Sequence, residues 1–224
     1  MKNELFKTED GSYSLKSEKF GVSYHSKYGA IQETQHVFID AALKPVMDKK
    51  SELNLLDIGF GTGLNAFMSL LQARKQNKKV NYTGMEAFPI SMDTAMKLDY
   101  TEALDVPELK DAFLKMHSSL SDEAIELDPL FSFKKRIQDF KELTDKEQYD
   151  VIFFDAFAPN AQPELWEVDL LSLMYNALKP GGIMTTYCAK GQVKRNLKAI
   201  GFEIEAIPGP PGKREMTRAI KPIE

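Results

Sequence analysis

The stretch Leu53–Phe67, LNLLDIGFGTGLNAF, decides the fold. Its apolar start ends in three glycines, Gly59, Gly61 and Gly63, and apolar residues then recur at helical spacing from Leu64. This pattern predicts a strand, a tight glycine turn and a helix. Such a turn lets a ligand approach the backbone closely, and it directs helix N–H groups at an anionic group. A glycine-rich turn that binds no ligand is the simpler alternative.

The composition is that of a globular protein. The 224 residues are 43% hydrophobic and 28% charged, which suits one α/β domain with a sizeable core. The chain has no run of roughly 18 apolar residues and its N-terminal segment is polar, so we expect neither a transmembrane helix nor a signal peptide. The single cysteine, Cys188, excludes an internal disulfide, and the three histidines do not have the spacing of metal ligands. These features predict a cytoplasmic protein that binds no membrane and no metal.

The charges are distributed unevenly along the chain. The net charge of −4 argues weakly against a nucleic-acid partner. Residues 189–221, however, carry eight basic and three acidic side chains, so the C-terminal end is basic and the remainder is acidic. Such a segment either binds a polyanion or is simply a solvated surface.

The rest of the chain alternates between strand and helix patterns. Residues 11–28 predict a small hairpin or extended arm, and Pro45 should end the helix that follows, so 1–45 is an N-terminal extension. Residues 91–128 predict a helical insertion that roofs a site, or else a longer crossover. The segment Lys179–Gly182, KPGG, should end the helix before it. We predict strands at 53–58, 80–86, 131–137, 149–154, 183–188, 202–207 and 215–220, and helices at 31–43, 64–74, 163–178 and 192–200.

This order of elements predicts a single domain over residues 1–224. Strands that alternate with helices form a parallel, doubly wound sheet. The last two strands are joined by only seven residues, too few for a helical crossover, so the last strand must be antiparallel to its partner. A mostly parallel, Rossmann-like sheet with an antiparallel last strand is the architecture of class I S-adenosyl-L-methionine (SAM)-dependent methyltransferases.

The spacing of the glycines separates two classes of cofactor. A dinucleotide-binding turn requires G-x-G-x-x-G, but Leu64 occupies the sixth position here. The sequence DIGFGTG, which begins within the end of the strand, resembles instead the turn that binds SAM. Asp57 is either a cofactor ligand or a structural cap of this turn. We therefore predict SAM as the cofactor, bound by Gly59, Phe60, Gly61, Gly63 and Asn65.

Three acidic residues follow predicted strands. Glu86, 23 residues after Gly63, can accept hydrogen bonds from two ribose hydroxyls, unless it is an exposed loop residue. Asp139 can accept from an adenine amino group, although Asp is also common in turns. Asp155 follows the most apolar strand, at the edge where open α/β sheets bind ligands. We therefore expect Asp155 to lie between cofactor and substrate, as the catalytic residue.

The segment Asp155–Pro159, DAFAP, is the candidate substrate site. Phe157 can stack on a planar ring, and Pro159 fixes the turn. Asp155 is a poor candidate for a helix cap, because the next predicted helix starts eight residues later. Five basic residues should share this edge and suit the phosphates of a large anionic substrate. They are Lys190, Lys194, Arg195, Lys213 and Arg214.

Several segments resemble one known family. They are GVSYHSKYGAIQETQHVFIDAAL, LLDIGFGTGLNAF, DAFAPNAQPELW, LKPGGIMTTYCAKGQVKRNL and GFEIEAIPGPPGKREM. Together they resemble bacterial tRNA 5-methylaminomethyl-2-thiouridine methyltransferases, both the monofunctional enzymes and the methyltransferase half of the bifunctional ones. The resemblance runs from about residue 10 to the end. Its glycine turn is generic to SAM enzymes, whereas DAFAP and PGPPGKREM are more specific.

The resemblance implies N-methylation, from SAM, of the aminomethyl group of 5-aminomethyl-2-thiouridine at the tRNA wobble position, with the anticodon stem-loop as partner. It implies that the glycines lie against SAM, that Glu86 binds the ribose, that Asp139 lies at the adenine and that Asp155 lies near the methyl group. It also makes Glu33 a candidate at the cofactor. The bifunctional enzymes continue into a flavin-dependent domain, so we expect this chain to act only on an amine that is already uncovered.

Three other functions stay open from the sequence. A SAM-dependent methyltransferase of a small-molecule amine would use the same cofactor residues, and the basic edge would then be incidental. Aminopropyl transfer on a related fold suits the DAFAP segment and the basic edge less well, because its substrate is a polycation. A tRNA-binding protein with a vestigial SAM fold would not need the intact glycines and Glu86.

Overall fold

The strand that opens the deciding stretch, β3 (Glu52–Ile58), lies at the centre of an eight-stranded sheet. The structure is a computed structural model that describes residues 3–223. β3 pairs in parallel with β4 (Lys79–Met85) on one side and with β7 (Tyr149–Phe154) on the other. The predicted strand, turn and helix are confirmed, because α3 (Leu64–Gln76) starts directly after the turn.

The remaining strands extend this sheet on both sides. They are β5 (Ala124–Asp128), β6 (Phe131–Arg136), β8 (Leu178–Thr186), β9 (Glu203–Pro208) and β10 (Glu215–Ile220). The strand order is β5-β6-β4-β3-β7-β8-β10-β9. β10 runs antiparallel to both of its neighbours, as its short connection to β9 requires. The predicted Rossmann-like, mostly parallel sheet is confirmed, whereas the extent of the domain stays a prediction.

Helices cover both faces of the sheet. Along β7, Val151 and Phe153 pack in one buried cluster, while Ile152 and Phe154 pack in a second one. The first cluster includes α3, and the second includes α7 (Val168–Ala177) and α8 (Gly191–Ile200). Because both faces are covered, the carboxyl ends of the parallel strands are the edge left open to a ligand. Within residues 3–223, no helix is long and apolar enough to cross a membrane.

The N-terminal extension consists of a hairpin and a long helix. The hairpin lies earlier than the arm predicted at 11–28, and it pairs β1 (Asn3–Lys7) with β2 (Tyr13–Ser17). The helix is continuous through three parts: α1 (Ala30–Thr34), a π-helical part (Gln35–Leu43) and α2 (Lys44–Met47).

The helix ends at Met47, two residues after Pro45, so the prediction that Pro45 ends it nearby is confirmed. Proline has no N–H to donate, and the π-helical part stops just before it, where the Lys44 N–H donates to the Ile39 carbonyl oxygen five residues earlier. Only the short α2 follows. Arg218 Nη1 donates to the Ala41 carbonyl oxygen at 3.2 Å and connects the end of the helix to β10.

The insertion at 91–128 is only partly helical. Its helices are α4 (Met92–Ala95), α5 (Tyr100–Ala103) and α6 (Lys110–Ser118). The helical prediction is wrong at its end, because β5 pairs antiparallel with β6 at the sheet edge. β5 has the sequence AIELD and is partly exposed, so it lacks the apolar run that marks a buried strand. At the end of α6, the His117 ring packs 5.1 Å from that of Phe60, so the insertion covers the glycine turn.

The helix before Lys179–Gly182 ends as predicted, because α7 ends at Ala177, but this segment then continues as part of a strand. The predicted helix 163–178 is a 3₁₀ turn (Pro163–Trp166) followed by α7, and KPGG belongs to β8. The register of β8 against β7 shifts there, because Leu178 pairs with Tyr149 but Ile183 pairs with Val151. Residues 179–182 therefore bulge from the strand.

Asp150 anchors this bulge to the start of the sheet. Its side chain is 3% exposed and accepts from the Asn54 N–H at 2.8 Å and from Lys179 Nζ at 2.9 Å, with Lys50 as a further partner. Burial alone raises the pKa of Asp150, but these three donors lower it, and the net shift is downward. The carboxylate therefore stabilises the fold above the pKa of the unfolded chain, and this contribution is lost as the pH falls through the folded pKa.

We predict that Asp150→Ala lowers the free energy of unfolding by about 2 kcal/mol at pH 7, because two lysines and one N–H lose their acceptor. The loss should shrink at pH 3, because the carboxyl is then mostly protonated in the unfolded chain and the pH approaches the lowered pKa of the folded state. Urea unfolding at both pH values measures it, and Asp48→Ala, at an exposed position, is the control. Equal losses at the two pH values would contradict the role given to the carboxylate.

Candidate active site

The glycine turn is fixed to the strands on both sides of it. The N–H groups of Gly59 and Phe60 donate to the Met85 carbonyl oxygen, at the end of β4, at 3.1 and 2.9 Å. Gly59 has a φ of +98°, and a Cβ there would lie 2.7 Å from the Asp155 carbonyl oxygen. Only glycine allows this approach. The turn and Asp155 therefore share one edge of the sheet.

A cleft of about 850 Å³ lies at this edge. This volume includes the open mouth of the cleft, so the lining residues, and not the size, indicate what the cleft can bind. The carboxyl ends of β3, β4 and β7 all contribute to its wall. Eight of the residues predicted from the sequence line it: Gly59, Phe60, Gly61, Asn65, Glu86, Asp139, Asp155 and Phe157.

Glu86 lies in the wall beside the turn. Its Oε2 accepts from the Gly61 N–H at 2.9 Å, and its Oε1 accepts from the Phe88 N–H at 2.8 Å. Burial raises the pKa of Glu86, while backbone N–H groups lower it, and the net shift is upward. Each oxygen can accept a further hydrogen bond, so this carboxylate can bind hydroxyl groups of a ligand.

Asn65 orients the Asp155 side chain through a hydrogen bond that could not be predicted from the order of the strands. Asn65 Nδ2 donates to Asp155 Oδ2 at 2.9 Å, and Asn65 Oδ1 accepts from Thr34 Oγ1 at 3.0 Å. Asn65 lies in the first turn of α3 and Thr34 ends α1, so two helices fix the carboxylate.

Burial raises the pKa of Asp155 well above its usual range. The charges of Asp57 and Glu33 raise it further, against the hydrogen bond from Asn65 and the charge of Lys213. A carboxylate with a raised pKa is a stronger base than one in water, so this group can take a proton from a bound ligand.

Asp57 supports the site from behind the wall. It is fully buried, and the Tyr82 hydroxyl donates to its Oδ2 at 2.5 Å. Burial raises the pKa of Asp57 to about 7, although hydrogen bonds from Tyr82 and Asn65 lower it. Since Asp57 does not line the cleft, the structure favours the structural role over that of a cofactor ligand.

Aromatic side chains from the N-terminal arm form another wall. The Phe157 ring lies 5.0 Å from the Phe20 ring and 5.1 Å from the Tyr24 ring, measured between centroids. Tyr24 also covers the turn, because a Cβ on Gly61 would lie 3.1 Å from its Cδ1. Phe20 and Tyr24 line the cleft but are not among the residues predicted from the sequence. The available signal was the aromatic-rich run at 20–28, which is remote in sequence from the turn.

Besides the five basic residues, three predicted residues lie outside the cleft lining, as the structure describes it. Gly63 faces the insertion, where a Cβ would lie 2.8 Å from His117 Nε2, so packing and a φ of +77° explain this glycine. Glu33 is 9% exposed at its side chain and pairs with Lys213. Pro159 lies in the loop after the cleft residue Phe157.

The five basic residues predicted at the rim fall into two groups. Two of them form ion pairs within the chain: Lys194 with Glu215 at 2.7 Å and Lys213 with Glu33 at 2.9 Å. The others are exposed: Lys190, Arg195 and Arg214. The free positive charge of the rim is therefore smaller than the sequence implies.

Comparison with known protein families shows which family this chain belongs to. A family model described as S-adenosyl-L-methionine-dependent methyltransferase matches residues 106–222, just over half of the chain. The chain belongs to this family.

The methyltransferase is similar to one part of longer proteins. It is 29% identical over 218 residues to the "tRNA 5-methylaminomethyl-2-thiouridine biosynthesis bifunctional protein MnmC" of Leptospira borgpetersenii serovar Hardjo-bovis (strain JB197), across 89% of this chain and 32% of that protein. A protein of the same name from Delftia acidovorans is 28% identical over 214 residues, across 91% of this chain and 33% of its own length. The methyltransferase thus spans about a third of these relatives.

Solved structures share its fold. MNMC2 from Aquifex aeolicus superposes with a TM-score of 0.74 and 26% identity, across 100% of this chain and 73% of that one. Spermidine synthase from Thermotoga maritima superposes with a TM-score of 0.55, across 99% of this chain and 72% of that one, but its 14% identity shows the fold alone.

The cofactor of the methyltransferase is SAM, and the cleft fits it. The wall has no Cβ at Gly59 and Gly61, so a ligand can lie against the backbone there. Beside them, the buried Glu86 carboxylate offers acceptors to hydroxyl groups. Within residues 3–223, no group of three or more His, Cys, Asp or Glu side chains is arranged to hold a metal ion.

We predict that Asp57→Asn flattens the dependence of stability on pH. The pKa of Asp57 is raised to about 7 in the fold, so its burial costs stability progressively as the pH rises from about 4 to 7. Asparagine keeps an acceptor for Tyr82 but carries no charge. Relative to wild type, the variant should gain about 1 kcal/mol or more of unfolding free energy between pH 4.5 and 7.5.

Urea unfolding across this pH range measures the difference. Asp48→Asn, at an exposed position, is the control and should leave the pH dependence unchanged. If the curves of wild type and Asp57→Asn run parallel, the buried carboxyl does not titrate as described.

Proposed function

We propose that this methyltransferase methylates the primary amine of 5-aminomethyl-2-thiouridine at the wobble position of tRNA, giving 5-methylaminomethyl-2-thiouridine. The observation that carries the proposal is the half-buried Asp155 carboxylate, which Asn65 fixes in the same cleft that the aromatic ring of Phe157 lines. The relatives named for this biosynthesis align with about nine tenths of the chain. A cytoplasmic location follows from such a substrate.

The chemistry needs an amine without its proton. SAM supplies an electrophilic methyl group on a sulfonium when it is bound. An aminomethyl group is largely protonated at neutral pH and then has no lone pair to share. Asp155 attracts the ammonium form into the cleft, accepts its hydrogen bond and takes its proton, which its raised pKa favours. Asn65 keeps the carboxylate in the orientation that this transfer requires.

Other cleft residues hold the two ligands in our proposal. Glu86 accepts hydrogen bonds from ribose hydroxyls, and Asp139, which already caps the Lys141 N–H at 2.9 Å, lies at the adenine. Phe157 holds the uracil ring, with Phe20 and Tyr24 behind it. The target base must leave the anticodon stack to reach them.

The exposed part of the basic rim serves the tRNA backbone. Lys190, Arg195 and Arg214 can contact phosphates without breaking an ion pair within the chain. Lys194 is already paired with Glu215, so it contributes less charge to a polyanion.

A small-molecule amine is the second candidate substrate. It is favoured by the two rim lysines whose charge is neutralised within the chain. Methyl transfer to free 5-aminomethyl-2-thiouridine as fast as to tRNA would support this alternative. A much higher kcat/KM with tRNA would support the first.

We predict that Asp155→Asn lowers kcat on undermodified tRNA by at least about 100-fold, because asparagine keeps the contact with Asn65 but cannot take a proton. SAM affinity, measured by calorimetry, should change by no more than a few-fold. Asp169→Asn, at an exposed site on α7, is the matched control. Full turnover of Asp155→Asn with unchanged SAM affinity would remove the proton role.

We also predict that Arg195→Ala/Arg214→Ala weakens tRNA binding and reduces its salt dependence, by about one unit in the log–log slope for each phosphate that the variant no longer binds. Fluorescence anisotropy between low and moderate salt measures both quantities. The control is Lys49→Ala/Lys75→Ala, which removes the same charge from two other exposed positions. An unchanged slope in the arginine variant would contradict the rim proposal.

A further inference from the structure

Asp155 lies within a closed ring of contacts that the proposed mechanism uses only in part. On one side the ring runs from Asp155 to Asn65 Nδ2 at 2.9 Å, and from Asn65 Oδ1 to Thr34 Oγ1 at 3.0 Å. On the other side, the Tyr187 hydroxyl donates to the carbonyl oxygen of Ala156 at 2.8 Å. Both sides therefore reach Asp155 or its neighbour in the chain.

The ion pair between Glu33 and Lys213 closes this ring. Lys213 Nζ lies 2.9 Å from Glu33 Oε1 and 4.0 Å from the centroid of the Tyr187 ring. Glu33 precedes Thr34 in α1, and its Oε2 accepts from the Ser26 N–H at 2.7 Å. The pair thus joins the arm, α1, the β9–β10 loop and the segment after β8 around one carboxylate.

The loop that carries Lys213 is held in this position independently of the pair. His36 Nε2 lies 2.8 Å from the Pro208 carbonyl oxygen. Gly212 packs so closely on Tyr28 that a Cβ there would lie 2.1 Å from its Cε2. The placement of the ammonium group is therefore built into the fold and does not depend on Glu33 alone.

We propose that Glu33 and Lys213 are positioning residues whose opposite charges set the pH at which Asp155 takes the proton of the substrate amine. Lys213 favours the charged carboxylate, and Glu33 opposes it. The proposal rests on the proposed function for its substrate, but not for the action of the pair on Asp155. It also gives Lys213 a role at the reaction site in place of the phosphate contact that the sequence predicts.

Glu86, Asp139 and Lys141 line the same cleft as Asp155, and within residues 3–223 the charged and titratable groups that bear directly on its pKa come from five elements. β3 brings Asp57, α1 brings Glu33, the β9–β10 loop brings Lys213 and the segment after β8 brings Tyr187. β4 brings Tyr82 behind Asp57. Among the groups from these five elements Lys213 is the cation, so its removal should raise the pKa of the Asp155 carboxyl.

The test compares two single variants with opposite expected signs. Lys213→Met removes the cation and should move the titration of Asp155 upward, whereas Glu33→Gln removes the anion and should move it downward, each by about 0.5 pH unit or more. The double variant should lie between the two, and Lys213→Arg should restore the wild-type value. Loss of a merely structural support would not produce shifts of opposite sign.

Two readouts separate this inference from the proposed function. Carboxyl ¹³C NMR of Asp-labelled protein without SAM, assigned with Asp155→Asn, follows the titration directly. The acid limb of kcat/KM for tRNA methylation should move in the same directions. Glu205→Gln, in the surface pair with Arg218, and Lys49→Met, at an exposed site, are controls that should move neither.

The outcomes distinguish the two claims. Opposite NMR shifts together with opposite shifts of the acid limb support the inference. Midpoints that stay fixed, or move in the same direction in both variants, overturn it even if the wild type methylates tRNA. Opposite NMR shifts in a wild-type protein that does not methylate tRNA support the action of the pair on Asp155 and reject the proposed substrate.

Discussion

The active site depends on the close approach of two backbones at the carboxyl ends of neighbouring strands. Gly59 follows β3 and Asp155 follows β7, and a Cβ on Gly59 would lie 2.7 Å from the Asp155 carbonyl oxygen. The Asp155 N–H donates to the Ile58 carbonyl oxygen at 2.9 Å, so the approach is locked by the sheet itself. One constraint thus brings the cofactor turn and the reactive carboxylate into the same cleft.

This arrangement costs stability. Asp57 and Glu86 are buried and Asp155 is half-buried at the same edge of the sheet, and the loss of contact with water raises the pKa of each. Ionising each of these carboxyl groups costs more free energy in the fold than in water, so other interactions in the fold must offset that cost. Asp150, on the opposite end of β7, shows the contrast, because its two lysine partners lower its pKa. The chain therefore keeps a stabilising carboxylate at one end of the strand and a reactive one at the other.

The sequence predicts the parts of this fold that depend on local patterns. The apolar run Tyr149–Phe154, the glycine turn and the last strand Glu215–Ile220 all lie where periodicity and spacing put them. β5 was missed because its edge position leaves a mixed sequence, and the bulge at 179–182 was missed because KPGG is typical of a helix end. β5 depends on its pairing with the neighbouring β6, and the bulge depends on the register of β8 against β7, neither of which the local pattern of residues shows.

The same limit applies to the site. Strand order was enough to bring Glu86, Asp139 and Asp155 to one edge, since acids at strand ends meet there. Strand order could not predict that Glu33 pairs with Lys213, which is 180 residues away in the sequence. Nor could it predict that Phe20 and Tyr24 pack against Phe157 at the cleft. Such contacts depend on how the N-terminal arm and the β9–β10 loop fold back over the sheet. These contacts produce no periodic pattern of residues in the sequence.

The central claim is that the amine of 5-aminomethyl-2-thiouridine receives the methyl group. The most direct measurement is nucleoside mass spectrometry of tRNA from cells that lack this protein, after incubation with the purified enzyme and SAM carrying a deuterated methyl group. Our account predicts that the label appears in 5-methylaminomethyl-2-thiouridine as 5-aminomethyl-2-thiouridine disappears, and that Asp155→Asn abolishes this conversion. Label on a different nucleoside, or no label in tRNA at all, would contradict it.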